Sequence, residues 1–453
     1  MEETRTAGQL LRRLSTFDLM MIVIGSIIGS GIFITPSSIA EVLPSAWLIL
    51  FVWLLGGLLA LTGALTYGEL GALMPRAGGV YVYLTEAYGG LFGFLYGWAN
   101  FLVINTGALA ALAIVYATYF GYFIPLSEVG VKVVAVGGIV FLTLINCFGV
   151  KVGGVFSDVF TLLKLLGIGG LILLGLLLGA GREIFVGPLI PPLKNSLGSA
   201  LAMGMVGVLW SYGGWQHATF ASGEAMDPKR SLPVSIITGT IAVVAIYLLT
   251  NIVYLYLLPI DTMASSPRIA ATAAEAFLGP IGGVLISLTI FISTFGTSGI
   301  YTLTAPRIYY AMAEDGVFFK KAAYVHPKFR TPMYSIIFQS MWAIILVLSG
   351  NFLQLITYVA FTDWIFFALT AATVIIFRRK YPSAERSYRT WGYPLTPVFF
   401  ILVSTWFVVN TLLNSPRQAL AGLCFLAVGV PIYYIWRKKN SPTHLHRSKS
   451  GPA

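Results

Sequence analysis

Two charged residues and two glycine-rich interruptions sit inside otherwise apolar stretches of this 453-residue chain. Lys164 follows seven or eight residues of one such stretch and precedes LLGIGGLILLGLLLG, which makes it too deep to snorkel easily. An ammonium there costs a few kcal/mol on insertion scales and must be paired or give up its proton. Asp158, almost two helical turns earlier, is a poor direct partner. Asp363, in YVAFTDWIFF, is the other charge at depth. The interruptions are GSIIGSGIF, Gly25–Phe33, and WSYGGWQ, Trp210–Gln216. Lipid offers no hydrogen-bond partner, so a weakened helix survives at membrane depth only where protein or a water-filled cavity satisfies the freed groups. A helix restarting at Ser30–Phe33 presents unpaired N–H groups carrying about half a positive charge, which can receive a carboxylate without a cationic side chain. A helix stopping at Ile27, or at Trp210–Tyr212, presents carbonyls that can accept from an ammonium. The glycines allow main chain to approach a ligand closely. The two chemistries together suit a zwitterion. The competing explanation is close packing of the small-xxx-small kind, open to Gly25 and Gly29.

The elements that must position these groups are membrane-spanning helices. Hydrophobic residues make up 57% of the chain and charged residues 10%, which excludes a soluble domain. Apolar runs of about 18 or more residues give twelve expected spans: 17–41, 45–73, 88–123, 130–150, 156–179, 200–225, 232–258, 280–313, 333–350, 353–379, 392–414 and 417–436. The expected fold class is an all-α polytopic membrane protein. Spans one to five (17–179) form a first half and spans six to ten (200–379) a second. Spans eleven and twelve (392–436) follow the basic linker 380–391 as an addition. An interrupted helix opens each half, as an inverted repeat would require, and such paired interruptions point to a carrier's binding site.

The net charge of +11 is an orientation signal rather than a nucleic-acid signal. With both ends in the cytoplasm, Lys132, Arg182, Lys194, Arg268 and Arg417 fall on outer loops and Lys164 in a span, while the other basic residues face inward. The tail 437–453 is basic and polar, expected to be disordered and to touch anionic lipid, and 1–16 is a cytoplasmic N-terminal tail. No cleavable signal peptide is expected. Cys147 and Cys424 both fall in apolar spans, so neither a disulfide framework nor a metal site is indicated.

Five segments in order carry a family resemblance. GSIIGSGIF resembles the opening signature of the amino acid–polyamine–organocation superfamily, near its L-type amino acid transporter branch. YGELGALMPRAGGVYVYLTEAYG (Tyr67–Gly89), SDVFTLLKLLGIGG (Ser157–Gly170), SYGGWQHATFASGEAMDPKRSLP (Ser211–Pro233) and STFGTSGIYTLTAPRIYYAMAEDG (Ser293–Gly316) resemble its second, fifth, sixth and eighth helices. The likeness covers about the first 380 residues. It implies two inverted five-helix repeats with discontinuous first and sixth helices, plus two extra helices. It further implies that Ser26, Ile27, Gly29, Ser30 and Gly31, with Trp210, Ser211, Tyr212 and Gly213, bind the α-carboxylate and α-amine of an amino acid. Trp210 matches the aromatic that closes over substrate, and Trp215, after the interruption, is either a second gate or a core residue. A fifth-helix lysine in this family places its ammonium where sodium-coupled relatives bind Na⁺. Lys164 is therefore expected to meet carbonyls near Gly25 and a hydroxyl of Ser293, Thr294 or Thr297, making transport sodium-independent. A structural ion-pair lysine is the alternative.

Asp363 departs from a family position that more often carries a small polar or amide residue. It could pair with a cationic or hydroxylated substrate side chain, take up a proton, or cap a helix break. Glu69 is expected to pair with loop bases such as Arg76, and His217 is either a satisfied polar residue or a pH sensor. An intramembrane serine protease built on GTSG (Gly296–Gly299) would need a histidine base on another span. Of His217, His326, His444 and His446, His217 alone lies in a span, within a segment the sixth-helix match already covers. Zinc-protease and phosphate-loop motifs are absent from the sequence, and no span has a channel's continuous polar lining. The expected function is a secondary carrier of neutral L-amino acids, an exchanger or permease of the plasma membrane, using no cofactor. Its partners are an amino acid substrate and membrane lipid, not nucleic acid; the sequence assigns neither an accessory subunit nor an oligomeric state. The competing readings are a proton-coupled carrier of cationic amino acids or polyamines, and a transporter-like amino acid sensor.

Overall fold

Ser15 starts the first helix by accepting from the Asp18 amide while Asp18 Oδ2 accepts from the Ser15 amide, a reciprocal cap that meets two orphan donors at once. The computed structural model describes residues 10–194, 196–349, 352–414 and 416–439. Of the expected tails 1–16 and 437–453, residues 1–9 and 440–453, with His444 and His446, lie outside the described residues. In chain order the helices are α1 (Thr16–Ile27), α2 (Gly31–Val42), α3 (Ala46–Leu73), α4 (Val80–Tyr88), α5 (Gly90–Ala99), α6 (Asn105–Phe120), α7 (Glu128–Cys147), α8 (Val150–Leu178), α9 (Leu197–Ser211) and α10 (His217–Phe220). They continue with α11 (Pro228–Leu257), α12 (Ile260–Ser265), α13 (Ile269–Leu278), α14 (Pro280–Thr304), α15 (Pro306–Glu314), α16 (Met333–Ser349), α17 (Phe352–Lys380), α18 (Leu395–Asn414) and α19 (Pro416–Lys439). A π-helical turn, Asn100–Ile104, joins α5 to α6.

Among the described residues, 10 helical segments are long and apolar enough to cross a membrane. Two of the twelve expected spans fall short of that length. The sixth ends at Ser211, where the chain turns before α10, and the ninth is the 17-residue α16. The outward faces are apolar. Along α8, Ser157, Thr161, Lys164, Ile168 and Leu171 are buried, while Leu162, Leu166, Leu173 and Leu177 are exposed. Polar inside and leucine outside, at 3.6-residue spacing, is the pattern lipid imposes.

The interrupted pair α1–α2 lies at the centre, with α1 against α8, α11 and α14 and α2 against α9 and α12. Close approach fixes where the two interruptions meet. A Cβ on Gly214 would lie 2.7 Å from the Ser26 carbonyl carbon, and Gly214 has φ +129°, a conformation few residues other than glycine adopt. The Ser26 hydroxyl donates to the Gly214 carbonyl at 2.9 Å.

At the end of the bundle carrying Leu14, three segments are stitched together. The Arg13 and Leu14 amides donate to the Glu224 carbonyl, and the Met226 amide donates to the Leu14 carbonyl. The Glu224 carboxylate takes the Arg307 guanidinium at 2.6 and 2.9 Å, with both side chains fully buried. The expected Glu69–Arg76 pair is corrected here. Glu69 is held by Arg378 at 2.9 and 2.7 Å and by the Thr390 amide at 2.8 Å, with Arg386 3.3 Å away. Arg76 faces Glu86 instead. The last turn of α17 brings the bidentate Arg378 guanidinium to the end of α3, and the basic linker after it folds back to add Arg386 and the Thr390 amide, whereas Arg76 is largely exposed.

Candidate substrate-binding site

α1 stops at Ile27 and α2 begins at Gly31, with Ser30 at its N-cap position offering no side-chain cap. The Gly31 and Ile32 amides at the start of α2 therefore have no intrahelical acceptor. The chain between them folds back on itself, with the Gly29 amide on the Ile27 carbonyl and the Phe33 amide on the Ser30 carbonyl. The second interruption runs from the end of α9 at Ser211 to the start of α10 at His217. A cavity of about 330 Å³ lies between the two, large enough for a small organic solute.

Most of the residues expected from sequence line this cavity: Ser26, Ile27, Gly29, Ser30 and Gly31 on one side, Trp210, Ser211 and Gly213 on another, with Thr297 and Asp363. Tyr212 and Trp215 do not. The Tyr212 hydroxyl donates to the Trp53 carbonyl at 3.1 Å, and its ring packs on Trp53 and Tyr247. Trp215 is buried against Tyr67, Phe367 and Phe400, where it ties the second interruption to α17 and α18. Trp210 is half-buried at the cavity wall.

Lys164 stands behind the first interruption. Its ammonium donates to the Gly25 carbonyl at 2.9 Å, the Ile28 carbonyl at 2.8 Å and Thr297 Oγ1 at 2.8 Å. All three N–H bonds have acceptors, so the charge is compensated without a carboxylate. Ser293 completes the link between α1 and α14 by donating to the Ile28 and Gly29 carbonyls. Thr294 takes no part, since its hydroxyl donates to Ile290 within its own helix. Among the described residues no Lys or Arg side chain lines the cavity, so the positive end they offer to an anion there is the start of α2.

Sequence reasoning missed two residues. The Tyr247 hydroxyl lies 3.0 Å from the Ile27 carbonyl and 3.1 Å from the Ser211 carbonyl, bridging the two interruptions from α11. A tyrosine deep in a spanning helix was the available signal, because its hydroxyl must find a partner there. Asn105, at the start of α6, also lines the cavity. Its signal was a pair of asparagines five residues apart in an apolar run. His217 lines the cavity too, with Nδ1 2.7 Å from Thr304 Oγ1.

Residues 14–435 match the family model described as amino acid permease. The chain is 33% identical over 429 residues to the serine/threonine exchanger SteT of Bacillus subtilis, covering 93% of this chain and 96% of that one. It is 30% identical to the large neutral amino acids transporter small subunit 2 of Mus musculus, over 92% of this chain and 80% of the relative. It is 29% identical to the human b(0,+)-type amino acid transporter 1, over 98% and 93%. The interrupted helices, the cavity between them and these full-length matches agree, and the chain belongs to the amino acid permease family.

Proposed function

We propose that this chain is a sodium-independent carrier of neutral L-amino acids that works by alternating access from the plasma membrane. The observation that carries the proposal is one cavity holding both the uncapped start of α2 and the carbonyl ends of α1 and α9, with no Lys or Arg side chain in its wall among the described residues. A zwitterion satisfies both ends at once: carboxylate on the amides near Ser30–Gly31, ammonium on the carbonyls of Ile27 and the Trp210–Tyr212 segment. Trp210 closes over the bound substrate. The relatives named as a serine/threonine exchanger and a large neutral amino acids transporter support a neutral side chain, and the first of them a small one. The ten long spans, with α9 and α16, then make twelve crossings arranged as two inverted five-helix repeats plus α18 and α19, and both termini face the cytoplasm.

Uptake of one labelled neutral amino acid into liposomes containing the purified protein, challenged by a panel of unlabelled amino acids, tests the proposal. Competition confined to neutral L-amino acids is expected; binding without uptake would make the protein a sensor. A second reading is favoured by Asp363, which lines the cavity and makes no ion pair among the described residues. It is transport of a cationic amino acid or polyamine. Asp363→Asn separates the two, because it keeps size and removes charge. Neutral uptake should persist with a modest change in affinity, whereas selective loss of lysine uptake would reverse the choice, since a buried cation needs its counter-charge.

A further inference from the structure

The π-helical turn Asn100–Ile104 sets the orientation of a polar group in the cavity wall. The Asn105 amide donates to the Asn100 carbonyl across that wide turn. In a regular α-helix, residues five apart lie about 140° apart around the axis; the wider turn brings these two side chains together. Asn100 Nδ2 donates to the Tyr96 carbonyl at 2.8 Å. That bond fixes Asn100 Oδ1 as an acceptor, and it receives Asn105 Nδ2. The relay leaves the Asn105 side chain with its carbonyl oxygen and one N–H uncommitted, in a residue that lines the cavity. Both asparagines are almost fully buried, so their amides cannot exchange roles through water.

A second group is fixed in the same way. The Thr304 hydroxyl donates to the Ile300 carbonyl at 2.8 Å, so its oxygen must accept from His217 Nδ1. In the neutral ring this leaves Nε2 as an acceptor, on a residue that also lines the cavity. The wall built by α6 and α10 thus offers two acceptors and one amide hydrogen with no partner among the described residues. A hydroxyl or a primary amide, each both donor and acceptor, matches this set. An ammonium leaves the amide hydrogen unmet, and an aliphatic side chain leaves every group unmet.

We infer that Asn105 determines specificity by reading a hydroxyl or primary amide on the substrate side chain, with Asn100 as its positioning residue. This rests on the amino acid carrier reading and narrows it to neutral substrates with polar side chains. Threonine and valine have the same shape and differ in that hydroxyl, so their KM ratio in proteoliposomes is the readout. The wild-type protein should favour threonine by about tenfold, the worth of one net hydrogen bond. Asn105→Leu, close in size, should bring the ratio near one. Asn100→Leu, outside the cavity lining, should lower it as well by releasing the Asn105 amide, an effect that a general loss of stability would not produce. Asn105→Ala reads the same ratio should the leucine variant not fold, as judged by melting in detergent. Equal KM values for threonine and valine in the wild type, or a proportional rise of both in Asn105→Leu, would overturn the assignment. Absence of uptake of any amino acid by the wild type would instead overturn the carrier reading on which it rests.

Discussion

At Gly31 a Cβ would sit 2.5 Å from Ser211 Oγ and 2.9 Å from Ser211 Cα, so the two interruptions are in contact with no room for a side chain. Gly31→Leu should therefore push the two interruptions apart, lowering the melting temperature in detergent as well as abolishing uptake. Ser30→Leu, at a half-buried position in the cavity wall, should instead abolish binding and uptake in a protein that still melts cooperatively, because the bulk blocks the free amides of α2. Retained uptake would sink the carboxylate assignment. Lys164 makes a different kind of demand. With its three N–H bonds committed to Gly25, Ile28 and Thr297, Lys164→Ala should lower transport by a similar factor at every pH between about 5 and 8, since no proton is gained or lost in its role. A wild-type pH dependence that vanishes in Lys164→Ala would show that it titrates. The lysine was legible because depth in an apolar run forces a charge to find acceptors. Its acceptors were narrowed to carbonyls near Gly25 and a few α14 hydroxyls, and Thr297 is among them. Glu69 was misjudged for the converse reason: its partners Arg378 and Arg386 lie some 310 positions away, and only the packing of α17 and the fold of the linker after it bring them near.

Three elements converge where the Arg307–Glu224 pair lies, beside the Leu14 strand-like contact with Ala225. Arg307 belongs to α15, Glu224 follows α10, and the segment 13–14 leads into α1, so the approach to the first interrupted helix, the segment after the second and α15 are tied at one point. Because both groups are fully buried, removing one partner strands the other charge. Arg307→Ala should cost ~3–5 kcal/mol, read as a fall in melting temperature, and should reduce uptake. The double variant Arg307→Met with Glu224→Leu should lose much less, because no unpaired charge remains. Equal destabilisation by the single and double variants would show that the pair stabilises by more than mutual neutralisation. Sequence showed that helices one and six break, since glycine clusters in apolar runs weaken helices. It did not show the π-helical turn at Asn100–Ile104 or the shortness of α9 and α16. Apolar residues extend equally through a turn and a helix, so hydropathy alone marks neither boundary.

At the scale of the whole molecule, the packing of α1 against α8, α11 and α14 places a fixed ammonium at the point where α8, α14 and the first interruption meet. Replacing external Na⁺ by another monovalent cation should leave initial uptake rates unchanged; a steep sodium dependence would remove Lys164 from the proposed role. The all-helical class could be read from apolar run length, whereas the pairing of α11 with α3 and of α17 with α18 depends on surfaces that apolar sequence does not distinguish. The tethered lysine also bears on thermodynamics. A cation covalently attached to the chain is never released to either side, so it carries no gradient energy into the cycle. A neutral zwitterion moved past it transfers no net charge. Such a carrier should equilibrate or trade its substrates rather than accumulate them by drawing on membrane voltage. A potassium diffusion potential of either sign across the liposome should leave the exchange rate and the final internal-to-external substrate ratio where they stand at zero potential.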